Sequence, residues 1–243
     1  MIDITITATQ RAEILERTLA SFKANLFKDT CARIIINIDP VGPDADFKNT
    51  LNVAQKYFPV QYIRTHGTPS FSKAFAWTWW QTNSEFVFHL EDDWELMHPV
   101  DLNKMIRIMN VYQDLAVLRL PFKPSGADSM KNWKYFFPRN GEFFECPQNL
   151  KRTVGFCGHP SLIRGEFVRN IVQYLDENKN PEKQFHHGHP ELMKEIDKWR
   201  FGVFAEPNQP AAICDIGRRW MIENNYKKAG SKAFFTQWEK TDA

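Results

Sequence analysis

Over its first 120 residues the chain repeatedly switches hydrophobic period, and that alternation restricts its fold more than any other feature. Ile2, Ile4 and Ile6 alternate with Asp3, Thr5 and Thr7, the period of two expected of a strand. From Arg11 to Leu26 the apolar residues Leu15, Leu19, Phe22 and Leu26 recur at helical spacing. Ala32 to Ile38 is a second strand that runs into Asp39-Pro40, and Asp46 to Tyr57 reads as a helix. Val60 to Arg64 is a third strand, and Ser70 caps the helix that follows. Glu85 to Leu90 is an apolar run rich in β-formers, Asp101 caps another helix, and Leu115 to Leu120 is a further strand. This β-α-β-α-β-α-β-α-β order predicts an open, mostly parallel α/β sheet flanked by helices.

The second half is less regular. Thr153 to Arg164 reads as extended, Gly165 to Leu175 as a helix and Asn178 to Gly188 as a polar loop. Pro190 opens a helix that continues to Trp199. Phe201 to Phe204 and Ala211 to Ile216 are short apolar pieces. A single domain over 1–243 is expected, divided into a regular half (1–120) and an irregular one (121–243).

The strand at Glu85 ends in Glu91-Asp92-Asp93. Three adjacent carboxylates cannot be buried together without a counter-charge, because desolvation and repulsion both oppose it. They form either an exposed acidic turn or a site for a hard cation such as Mg²⁺ or Mn²⁺. Strand ends are where open α/β sheets bind ligands.

Composition narrows the class. Hydrophobic residues make up 43% and aromatic residues 14%, enough for a substantial core. A net charge of +2 gives no global argument for a polyanion partner. No apolar run nears the roughly 18 residues of a membrane span, and Met1 to Thr5 has no signal-peptide pattern. The 4 cysteines are scattered, as expected of a reduced, cytoplasmic protein.

Four segments together resemble the GT-A fold glycosyltransferases that use nucleotide sugars. They are Ile4 to Arg11; Ile36-Asn37-Ile38-Asp39; the strand ending in Glu91-Asp92-Asp93; and Gly155 to Arg164 with the acidic helix start beyond it. The Glu-Asp-Asp form is similar to that of N-acetylglucosaminyltransferases, a family-2-like pattern. The resemblance implies a metal-dependent transferase in which Mn²⁺ or Mg²⁺ stabilises a nucleoside diphosphate leaving group, with a UDP-sugar as the default donor. Residues 1–120 would then bind the nucleotide sugar and 121–243 the acceptor.

The same resemblance makes Asp93 the metal ligand, Asp92 a ribose or metal-water contact, and Glu91 a supporting group. Asp39 would bind the nucleoside, although Asp before Pro40 also suits a plain turn. Thr9 and Arg11 would line the nucleotide pocket; a cation at a helix N-terminus is disfavoured, which favours a phosphate contact for Arg11. Asp215 stands where many relatives place a His that completes the metal shell. Arg218 and Arg219 are either diphosphate contacts or solvated residues of a helix start. Glu191, in His189-Pro190-Glu191, is the candidate general base of an inverting reaction, against the simpler reading of an acid stabilised by a helix dipole. Lys73 is expected to be solvated, and His186-His187-Gly188-His189 lacks metal-ligand spacing.

The basic, aromatic stretch from Lys123 to Arg152 suits either a saccharide acceptor or a hydroxymethylated base flipped out of DNA. The competing classes are a nucleotidyltransferase, for which Thr9-Gln10-Arg11 offers no glycine-rich phosphate loop, and a non-catalytic nucleotide- or sugar-binding module. Nothing in the sequence sets the oligomeric state.

Overall fold

The computed structural model of the protein describes residues 1–123, 137–206, 209–229 and 238–241. The first part runs β1 (Ile2–Thr9), α1 (Ala12–Asn25), β2 (Ala32–Asp39), α2 (Lys48–Tyr57), β3 (Val60–Thr65), α3 (Phe71–Trp80), β4 (Phe86–Glu91), β5 (Trp94–Leu96), α4 (Leu102–Val111) and β6 (Leu115–Arg119). It continues with β7 (Phe122–Lys123), β8 (Arg139–Asn140), β9 (Phe143–Glu145), a π-helical turn (Lys151–Gly155), β10 (Ser161–Arg164), α5 (Gly165–Val172), α6 (Pro181–His187) and α7 (Pro190–Asp197). Last come β11 (Arg200–Val203), β12 (Ile213–Asp215), α8 (Gly217–Glu223), β13 (Tyr226–Lys228) and β14 (Trp238–Lys240).

Nine strands form the main sheet in the order β3-β2-β1-β4-β10-β6-β11-β9-β8. The expected parallel β-α order holds for β1, β2, β3 and β4. One expectation fails beyond that point: β6 does not pair with β4. Strand β10 lies between them, antiparallel to both. The small sheet β5-β12-β7 stands apart, with Asp215 opposite Trp94.

Helix starts follow local chemistry. Ser70 Oγ accepts from Lys73 N and Asp101 Oδ1 accepts from Lys104 N, as the capping pattern predicts. At α1 the cap comes from elsewhere: Asp44 Oδ2 accepts from Ala12 N at 2.8 Å, which leaves the Arg11 side chain free to turn toward the sheet end. Two segments depart from the sequence reading. Residues 178–188 are not simply a loop, because Asn180 caps and Pro181 opens α6. Only the last residues of the stretch from Thr153 to Arg164 are a strand; it begins inside the π-helical turn. There the buried Lys151 donates to the carbonyls of Ile196, Asp197 and Trp199, closing the C-terminal end of α7 with a cation.

Both faces of the sheet are covered. Along β4, Phe86, Phe88 and Leu90 pack with Ile4, Leu19 and Phe22 on one face. Val87 and His89 point to the other face, which holds Phe75, Trp79, Phe156 and Phe185. The period of two therefore places Glu91 on the α3/α6 face. No helix among the described residues is long and apolar enough to cross a membrane.

The fully buried Asp3 fastens β1 to its neighbours. It accepts from Arg33 Nε at 2.6 Å and from the amides of Asn83 and Ser84 at 2.8 and 2.9 Å. Burial alone would raise its pKa, but Arg33 and the two amides hold it below the ordinary carboxylate value. The stability it supplies is thus present above the unfolded-state pKa of about 4 and is lost as pH falls through the lower folded value. Asp3→Asn is expected to cost about 2–4 kcal/mol at neutral pH and to flatten the decline below about pH 4, measured by urea denaturation across pH.

Candidate active site

The strand order reverses between β1 and β4, since β2 and β3 lie on one side of β1 and β4 on the other. At such a switch point the carboxyl ends of the strands diverge and leave a crevice. A cavity of about 850 Å³ opens there. Its floor is built from strand ends: Thr9 of β1, Asp39 of β2 and Glu91 of β4, followed by Asp92 and Asp93. Register sets Thr7 opposite Glu91 and Thr9 opposite Asp39.

Asp92 is turned inward. Its Oδ2 accepts from Thr9 N (2.9 Å) and Thr9 Oγ1 (2.8 Å), and its Oδ1 from Arg11 Nη2 (2.6 Å). Thr18 of α1 donates to its carbonyl at 2.7 Å. The buried Arg11 also reaches Asp93 Oδ2 at 3.1 Å and donates through Nε to Thr9 Oγ1 at 2.7 Å. The rings of Trp220 and Trp238 lie 5.3 and 4.8 Å from its guanidinium carbon. Burial opposes the Arg11 charge, but Asp92 and Asp93 outweigh it and strengthen its hold on the proton.

Asp39 is buried in the cavity wall, its oxygens accepting from Asn37 Nδ2 and Ser70 N, both at 2.8 Å. Burial raises its pKa against these bonds. Glu91 is held well above the carboxylate range by burial and by repulsion from Asp93, Glu182 and Asp92; a 3.4 Å contact from Trp94 Nε1 opposes this weakly.

Asp93 and Asp215 meet through backbone pairing, because Ile216 N donates to Asp93 O at 2.9 Å. A Cβ on Gly217 would fall 2.1 Å from Asp93 Oδ2, so only glycine lets α8 approach this carboxylate. Asp215 Oδ1 caps α8, accepting from Gly217 N and Arg218 N at 2.9 and 3.2 Å. The second oxygens, Asp93 Oδ1 and Asp215 Oδ2, accept no hydrogen bond among the described residues. Nor do three His, Cys, Asp or Glu side chains there make a preformed ion cage. This donor set of hard oxygens suits Mg²⁺ or Mn²⁺ held by one or two carboxylates, with phosphate and water supplying the remaining ligands.

Sequence-predicted residues divide in three. Thr9, Arg11, Asp39, Asp92, Asp93, Asp215 and Arg218 all border the cavity. Arg219 does not, being exposed and paired with Glu223 at 2.6 Å. Glu191 is also placed elsewhere: it is exposed, pairs with Lys194 at 2.7 Å and is held below the ordinary glutamate pKa by that lysine. In the histidine run, His189 caps α7 and His186 contacts the Phe156 carbonyl at 3.4 Å. Of the expected basic, aromatic acceptor stretch, residues 124–136 lie outside the described residues.

Two cavity residues escape a reading of the sequence alone. Glu182 is the second residue of α6, and its Oε1 accepts from Gly158 N at 2.5 Å. A Cβ on Gly158 would come within 3.0 Å of Glu91 Oε1 and 3.2 Å of Glu182 Oε1, so the glycine lets both acids crowd the same backbone. The available signal is Asn180-Pro181-Glu182, the same residue-Pro-Glu pattern as His189-Pro190-Glu191. His159 packs on Trp94 and Phe122, and burial, reinforced by the Arg119 charge, pushes its pKa down to about 4, so it is neutral at pH 7. No local pattern marks it.

No family model and no curated protein sequence matches the chain. Solved structures do match. S. aureus TarS superposes with a TM-score of 0.58 at 13% identity, over 88% of this chain and 36% of TarS. The 1–349 fragment of TarS in complex with UDP gives 0.55 at 15% identity, over 88% of this chain and 60% of the fragment. The same fragment with UDP-GlcNAc gives 0.52 at 14% identity, over 96% and 60%. The chain therefore spans less than two thirds of these structures. The likeness is one of fold: a mixed, largely parallel sheet with flanking helices, of the GT-A type.

Proposed function

We propose that the protein is a metal-dependent glycosyltransferase that moves a sugar from a nucleoside diphosphate sugar, by default a UDP-sugar, to a hydroxyl of a saccharide. The observation that carries this reading is the switch-point cavity, where Asp39, Asp93, Asp215 and Glu182 face one space. Support comes from the shared fold with TarS structures bound to UDP and UDP-GlcNAc. In this reading Asp39 accepts a hydrogen bond from the nucleobase. Asp93 and Asp215 hold the cation, which when bound offsets the charge of the diphosphate. Arg218 pairs with the phosphates. Asp92 positions rather than binds, since its carboxylate is already engaged by Thr9 and Arg11.

Glu182 takes the base role that the sequence suggested for Glu191. It removes the proton from the acceptor hydroxyl, whose oxygen attacks the anomeric carbon. The bond from that carbon to the diphosphate oxygen breaks, and its electron pair leaves with the nucleoside diphosphate. Attack from the opposite face inverts the anomeric centre. Neutral His159 and the apolar rim of Met221, Ile222, Tyr226 and Trp238 line the same cavity and suit a sugar ring better than a charged acceptor.

The test is release of UDP from UDP-sugars with Mn²⁺, with and without a chelator. Asp93→Ala is expected to lower turnover at least about 100-fold while circular dichroism stays that of the wild type. Glu182→Gln is expected to lower kcat by about 10²–10⁴ with little change in donor KM, whereas Glu191→Gln stays within about twofold. Loss of activity in Glu191→Gln with full activity in Glu182→Gln would reverse the assignment.

A further inference from the structure

We infer that Arg11 is an internal counter-cation that occupies Asp93 until nucleotide arrives, so that the protein takes up a divalent metal together with the nucleotide and only weakly before it. The inference rests on the proposed metal-dependent reading and concerns how that site is regulated.

Arg11 makes two unequal ion pairs. The one to Asp92 is short, 2.6 Å, and both partners are almost wholly buried. Asp92 is held further by two bonds from Thr9, and Arg11 by Thr9 Oγ1 and the walls of Trp220 and Trp238. Thr9, Arg11 and Asp92 therefore form a fixed unit. The pair to Asp93 is longer, 3.1 Å, and the Asp93 side chain is 25% exposed, so this end can exchange. A cation held at the open Oδ1 of Asp93 would share that carboxylate with a guanidinium whose Nη2 is 3.1 Å from Oδ2. Two positive charges at that range repel strongly where water is scarce. A diphosphate brings the negative charge that makes both cations tolerable. The Arg11 donor withdrawn from Asp93 then faces phosphate oxygens. By linkage, metal and nucleotide each raise the affinity for the other, and Arg11 supplies part of that coupling.

Binding of Mn²⁺ alone, followed by the loss of the free-ion paramagnetic resonance signal, tests this without turnover. Arg11→Met keeps the side-chain length and removes the charge. It is expected to bind Mn²⁺ without nucleotide at least about 10-fold more tightly than the wild type, and to lose most of the UDP-induced gain. Folded Arg11→Met with wild-type or weaker Mn²⁺ affinity would overturn the inference. Should that variant fail to fold, Arg11→Gln decides: it removes the charge and keeps a hydrogen-bond donor on the side chain, so Mn²⁺ affinity rises about 3-fold or more, and unchanged affinity counts against the inference. If the wild type takes up no Mn²⁺ even with UDP, the metal-dependent reading itself fails and this inference falls with it.

Discussion

The ion pairs of one buried arginine with two adjacent aspartates are what the rest of the crevice is arranged around. Strand β4 leads into Glu91, Asp92 and Asp93, and without a nearby positive charge the burial of Asp92 between two half-buried acids would be prohibitive. Arg11 answers that charge from the first loop of the chain. It is held in turn by Thr9 at the end of β1 and faced by Trp220 and Trp238 near the C-terminus. The first β-α turn, the end of the central strand and the last helix thus depend on one another through a single guanidinium. Lysine could not replace it simply, because a planar fork reaches several acceptors at once.

The first half of the fold was legible because each of its elements announces itself locally. The alternating Ile2, Ile4 and Ile6 and the helical spacing of Leu15, Leu19 and Phe22 each have one reading. Asp39 and the carboxylates after β4 stand at strand ends that the same pattern locates. What the sequence hides is direction and distance. Four residues, Ser161 to Arg164, form a strand whose orientation nothing local specifies, so its antiparallel insertion between β4 and β6 was not foreseeable. Two helices begin with Pro-Glu after a capping residue, and only tertiary packing decides that Glu182, not Glu191, meets the cavity. Arg11 drew notice as a cation in an unfavourable helix-start position, yet its partners lie 81 and 82 residues away.

The two acids that crowd Gly158 differ in what they can do. Glu91 continues the inward face of β4 and is kept from ionising by burial and by its acidic neighbours. Glu182 sits in the first turn of α6, where a helix dipole favours negative charge, and its Oε1 already accepts an amide hydrogen. Glu91 is thus suited to remain neutral while Glu182 is anchored to the Gly158 amide, although both stand against the same glycine. That separation comes from placing one on a strand and the other on a helix end, not from residue type.

Strand β10 runs against its neighbours, so it is its beginning, not its end, that lies beside the carboxyl ends of β4 and β6. The segment that leads into it therefore carries Gly158 and His159 to the crevice, while Thr9, Asp39 and Glu91 arrive on the way out of a strand. The two walls of the cavity are consequently built by separate stretches of chain. Insertions between residues 146 and 157 could reshape what the far wall accepts without shifting the register of β1, β2 and β4. A fold of this kind can keep one wall of its crevice and change the other through the approach to one reversed strand.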